Sequence, residues 1–277
     1  AARSVAVVPV SALVPKAQSL AIRIQSRGAA VATWLQQKTV RGLVAAGLEI
    51  SVPVAQPSNT VEIPGVLIRG SESSNNLAAA DGDYGDLQPV LRVFATATTE
   101  VTGQIIGADS ETFGTVVRET VSGGTVVDIP LTGLSDGDFS AFISADQPVL
   151  ASIRYSRTTE NQKPLTDFTW APAGLKLTQG MRFVSPTSGI TRLAISSSTD
   201  QAASLTLVER DTGAVINLNL EAGATSSEIL QPGGNFEVTA VNGPVSANLV
   251  VDLAGNIATI SIPDFANRPG ERQLTIR

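Results

Sequence analysis

Two seven-residue phrases a hundred positions apart constrain this chain more than any single residue does: GGTVVDI at 123–129 and GATSSEI at 223–229. Each is followed by a run opening on a phenylalanine, Phe139 or Phe236, and then by PVLA at 148–151 or PVSA at 244–247. A third, worn copy stands near the start, with LAIRI at 20–24 followed by AAVA at 29–32. From Phe139 to Ala151, Phe236 to Ala247 and Leu20 to Ala32 the steps are 12, 11 and 12 residues. Repetition on this scale predicts a serial array of small domains, each burying its own core.

The residues between the repeats say what kind of domain. Glycine (24) and proline (15) punctuate the chain at short intervals, and the runs between them are short and apolar, which predicts an all-β array. Leu20, Ile22 and Ile24 alternate with polar or small residues, the period of a half-buried strand. The same reasoning predicts strands at 90–98, 115–121, 126–129, 139–143, 149–155, 193–197, 205–209, 215–220, 236–241, 245–251 and 257–262. The stretch 29–47 has helix-like content, but Val31, Thr33 and Val40 favour a strand, which the repeat places at 30–36. Residues 1–15 are apolar with Arg3 and two prolines, and read as a first strand rather than the remnant of a signal or anchor.

Boundaries are expected at clusters of turn-forming residues: 56–60, 71–87, 158–167 and 172–190. The expected organisation is therefore all-β, with tandem immunoglobulin-like β-sandwich modules. An incomplete module at 1–60, which either leans on its neighbour or lacks upstream residues, precedes a fuller one at 61–175 and another at 176–264. The tail, 265–277, offers one extra strand. Segments 65–69 and 180–184 look like equivalent opening strands of the two fuller modules.

Chemistry is constrained by what is missing. The chain has no cysteine, hence no disulfide framework and no thiolate nucleophile or ligand. It has no histidine either, which removes the usual general base, the Ser-His-Asp triad and the commonest transition-metal ligand. Net charge is −6 with basic residues scattered, so the footprint that nucleic-acid binding requires is missing. No stretch approaches the roughly 18 apolar residues of a membrane span.

Among polar constellations, Asp81, Asp83 and Asp86 in DGDYGD offer clustered oxygens of the kind calcium takes, though the spacing is not that of an EF-hand. A solvated turn accounts for the same residues. Asp136 and Asp138 read as a hairpin connection. Asp109, Glu111, Asp128, Asp167 and Glu209 are available for a carboxylate-dependent glycosidase, which needs two of them facing each other in a cleft. Sugar platforms are few, with two Trp and two Tyr, and Trp34 and Trp170 read as core or seam residues. Lys16, Lys38, Lys163 and Lys176 leave a Ser–Lys nucleophile open in principle. No S-x-x-K, G-x-S-x-G, G-x-G-x-x-G, Walker A loop or glycosylation sequon occurs.

The phrases ATWLQQKTVRG at 32–42, GLE at 47–49, IPG at 63–65 and LRVF at 91–94 resemble a family of actinobacterial secreted proteins of unknown function. DFTWAP at 167–172 and GPVSA at 243–247 are similar to that family's module endings. The resemblance implies an exported or membrane-anchored protein of the cell envelope with β-sandwich modules, and brings no catalytic residues. The expectation is a non-enzymatic, extracytoplasmic structural or interaction protein whose partner is a protein or an envelope glycan. The alternatives are a polysaccharide-binding accessory presenting Tyr84, Tyr155 or Trp34, and the glycosidase.

Overall fold

A computed structural model describes residues 4–262, apart from 16, 18, 28–30, 54–55, 110–111, 113 and 160–164. It is all-β, in several antiparallel sheets. The first is a hairpin of β1 (Leu35–Arg41) and β2 (Val44–Ser51). A second unit follows, made of β3 (Ser58–Ile68), β4 (Val90–Ala95), β5 (Thr99–Gly107), β6 (Thr115–Val121), β7 (Val126–Pro130), β8 (Gly137–Thr158) and β9 (Thr166–Pro172). The third comprises β10 (Leu175–Lys176), β11 (Arg182–Val184), β12 (Ile190–Ser197), β13 (Ala203–Glu209), β14 (Val215–Leu220), β15 (Thr225–Leu230), β16 (Asn235–Asn242), β17 (Val245–Leu253) and β18 (Asn256–Ser261).

Alternation builds both interiors. In β4, Leu91, Val93 and Ala95 point inward and are fully buried, while Val90, Arg92 and Phe94 face the other way. In β13, Leu205 and Leu207 play the same part for a core shared with Phe183, Leu193, Phe236 and Leu249. The runs predicted at 139–143 and 149–155 are one 22-residue strand, β8. Its first half pairs with β3 and β5, its second half with β4 and β9. A single strand thus joins two sets of partners in one seven-stranded sheet, bending where the pairing with β3 slips between Ser58 and Thr60.

The repeated phrases occupy equivalent places. β7 lies on β4 as β15 lies on β12. Ala151 pairs with Val93 as Ala247 pairs with Ile195. The turn glycines in register are Gly124 and Gly223, one residue out of step with the alignment of the two phrases by their first glycines, and their amides donate to Ala95 O and Ser198 O at 2.8 and 2.7 Å. Both hold positive φ, which explains glycine in each copy.

Where the second and third units meet, the cores are not separate. Ala194, Val250 and Ile257 of the third unit belong to the second unit's core. Tyr155 is fully buried there, its hydroxyl donating to Gly65 O at 3.0 Å and bonded to Thr259 Oγ1 at 2.8 Å. Asn248 Nδ2 donates to Pro64 O and Pro172 O at 2.9 and 3.0 Å. Glu62 accepts from Ser246 Oγ at 2.6 Å and from Lys176 Nζ at 2.8 Å. Arg157 pairs with Asp252 at 3.1 Å.

Four expectations need correction. Residues 4–9 form no strand, and a one-turn helix, α1 (Val10–Leu13), follows them. The LAIRI phrase is also without a strand, and Ile22 and Ile24 are exposed. Alternation permits a strand but does not supply a partner for its ladder hydrogen bonds, and none is found among the described residues. The run expected at 30–36 begins at Leu35 instead. Finally, the expected boundary loop at 71–87 is α2 (Ser71–Ala80) followed by a 3-10 turn at Gly82–Leu87. Leu77 and three alanines favour the helix, and Asp136 accepts from Gly70 N and Ser71 N at its positive end. The tail expected to add a strand lies outside the described residues.

Candidate functional site

The β1–β2 hairpin turns Gln37, Arg41 and Glu49 toward the protein, and its solvent face carries several large apolar residues beside Gln36 and Lys38. Gln36 pairs with Ile50 and Lys38 with Leu48, and these four side chains are exposed. Val40, Leu43 and Val44 around the turn are exposed as well, Leu43 completely. The neighbouring pair, Gln37 and Glu49, points inward. Trp170 Nε1 donates to Gln37 Oε1 at 2.9 Å. Gly47 passes so close to β9 that a Cβ there would lie 2.5 Å from Phe168 Cδ1, and its φ of +137° is one that side chains rarely adopt.

The surface receiving the hairpin is a ladder of arginines and aromatics on the outer face of β7, β4, β8 and β9. Arg92 makes two bonds to Asp128 at 2.7 Å and stacks on Trp170, its guanidinium 4.6 Å from the ring centre. Arg154 lies 4.6 Å over Phe168 and pairs with Asp86 at 3.1 Å, while its other terminal nitrogen donates to Asp86 O. Arg41, from the hairpin, pairs with Asp86 too and sits 4.7 Å over Tyr84. Burial lowers the pKa of Arg154 from its ordinary value; Asp86 opposes that shift, and Arg41 and Arg92 reinforce it. The ladder is thus a crowded stack of three cations partly neutralised by Asp86 and Asp128.

Behind it, β2, β9 and β18 converge on two carboxylates. Glu49 is 6% exposed and Asp167 is 9% exposed. Burial, with the nearby Asp167 charge adding to it, pushes the pKa of Glu49 up to about 7, against hydrogen bonds from Thr169 and the Ile50 amide. Burial also raises Asp167, although it accepts backbone bonds from Ile257 (3.0 Å), Phe168 and Leu48.

The expected site residues separate. Asp81 caps the 3-10 turn by accepting from Asp83 N at 3.0 Å, and Asp86 is committed to its arginines. Among the described residues no three acidic side chains gather into a group fit to hold a metal. Asp138 pairs with Arg69 at 2.8 Å, and Asp136 caps α2. Of the candidate catalytic acids, Asp128 serves Arg92 and Glu209 holds its own turn, accepting from Asp211 N and Thr212 N. Glu111, Lys16 and Lys163 lie outside the described residues. The pair brought together, Glu49 and Asp167, is buried rather than facing a cleft. Trp34, expected in a core or seam, is 53% exposed, whereas Tyr155 is buried and Tyr84 lies under Arg41.

Sequence reasoning missed Glu49 and the arginines. Their signal was present: an arginine inside an apolar strand, in LRVF and again at Arg154, marks a side chain that needs a partner across the sheet. No helix among the described residues is long and apolar enough to cross a membrane.

Comparison with curated proteins yields no match, and comparison with solved structures yields none. Comparison with protein families matches residues 1–233, ending between β15 and β16. With most of its length so matched, the chain belongs to the family of unknown function DUF5719.

Proposed function

We propose that this chain is a non-enzymatic, extracytoplasmic structural and interaction protein of a bacterial cell envelope, in agreement with its resemblance to actinobacterial exported proteins. The observation that carries the reading is the cluster of exposed apolar side chains on the hairpin, Val40, Leu43, Val44, Leu48 and Ile50. A folded chain does not hold an apolar face outward by ionic and aromatic contacts unless that face is covered by something else. Supporting it, Asp128 is engaged by Arg92, Glu209 holds its own turn and Asp167 is buried beside Glu49, and both β units are joined by buried hydrogen bonds.

Photo-crosslinking through a reactive group at position 48 in intact cells, followed by fractionation, tests the reading. Crosslinks to envelope components from a protease-accessible chain are expected; recovery in the cytosol without crosslinks overturns it. Exposed Trp34 keeps a second reading, polysaccharide binding, in play. Co-sedimentation with insoluble envelope glycan, with calcium and with chelator, distinguishes it, since retention lost in Trp34→Ala would favour glycan recognition.

A further inference from the structure

We propose that the β1–β2 hairpin and the exposed apolar residues described before it form a binding face for an anionic lipid surface, with the β1–β2 turn entering the headgroup layer. This rests on the interaction reading above and names the partner. Of the 24 large hydrophobic side chains exposed among the described residues, 16 lie between Val5 and Val52, so the apolar surface is concentrated in the first fifth of the chain. Charge is divided at the same place. Residues 1–53 hold six Lys or Arg and one Glu, a net +5; residues 54–277 hold 13 and 24, a net −11, which together give the chain's −6.

That coincidence selects among occupants. A second copy meeting this face with its own would oppose two +5 segments. The body of a second copy offers acid but little apolar area, because its eight exposed large hydrophobics (among them Val116, Val215 and Ile229) lie one to a strand or loop. An anionic bilayer supplies both complements, an apolar layer beneath negative headgroups. The hairpin is shaped for it: Leu43 and Val44 project at the turn, and Lys38 stands beside Leu48 on the outward face. Arg23 and Arg27 are exposed on the preceding segment. The acidic body, repelled by the same surface, orients the arm toward it.

The test is sedimentation of the full chain with vesicles of phosphatidylcholine alone or mixed with phosphatidylglycerol, at low and high salt. Binding to the mixed vesicles is expected, weakened by salt and reduced about tenfold or more in a Leu43→Asp, Val44→Asp double variant. Both positions are exposed, so circular dichroism should be unchanged. Arg23→Gln with Arg27→Gln should weaken binding to mixed vesicles and leave the neutral ones unaffected. No sedimentation, or sedimentation indifferent to the turn variant, overturns the proposal. A concentration-dependent dimer abolished by the turn variant also overturns it, in favour of a second copy. If vesicles fail while position 48 still crosslinks to an envelope protein, the lipid falls and the interaction reading stands.

Discussion

On one side the second β unit meets the third through Ala194, Val250 and Ile257, which lie within its own core; on the other it meets the hairpin through Arg41, Asp86, Arg154 and Glu49. The first junction is mainly apolar and sealed by buried neutral hydrogen bonds from Tyr155 and Asn248, with the ion pairs Lys176–Glu62 and Arg157–Asp252 beside them. Its shared core depends little on salt or pH and joins two bodies cooperatively. The second is ionic, aromatic and half-exposed, so it responds to both. Two attachments of one sheet thus differ in kind: one makes a single rigid body, the other a detachable element whose outer face is apolar.

The largest expected effect breaks the first junction. Tyr155→Ala removes a fully buried ring and leaves Gly65 O and Thr259 without their partner, and should cost about 4 kcal/mol by urea denaturation. Both units should lose stability together, in one transition.

The second junction is reached by pH. Glu49 keeps its proton up to about pH 7 in the folded chain but only to about 4.5 when exposed, so the folded chain binds more protons between those values. Docking is therefore strongest at or below about pH 4.5 and weakens as pH rises through 7, by at most about 3 kcal/mol. Asp167, also raised, acts in the same direction. Other charged groups nearby are Arg157 on β8, opposite Asp167, and Asp252 on β17, paired with Arg157. In a Trp34→Phe background, Trp170 emission reports whether Gln37 covers it. A change between pH 5 and 8 is expected, and Glu49→Gln should flatten it.

The chain's alternation made much of this fold legible, since 115–121 and 215–220 are strands as expected and the repeat marked equivalent positions in both units. Other features depend on partners that no local pattern names. Leu20–Ile24 alternates as well as β4 does, yet no sheet edge takes it. The two runs within β8 look like separate strands because Ala145–Pro148 interrupts their apolar pattern, whereas the structure bends one strand there. Glu49 reads as a surface acid until β9 and β18 close over it. Trp34 and Trp170 look alike in sequence; Trp170 is claimed by Arg92 and Gln37, and Trp34 has neither.

Smaller effects sharpen the contrast. Asp86→Asn removes the carboxylate shared by Arg41 and Arg154 and should lower amide protection in β1 by about 2 kcal/mol, with β17 unchanged. Lys176→Ala, at a pair whose lysine is half-exposed, should change the unfolding free energy from urea denaturation by less than about 0.5 kcal/mol.

The most direct test of the two-junction account is native-state hydrogen exchange of the whole chain at rising, sub-denaturing urea. The account predicts that β1 and β2 open in an early step of their own, while β3, β8, β17 and β18 exchange only through global unfolding. A single step taking the hairpin and both units together would contradict it, as would separate opening of the third unit from the second.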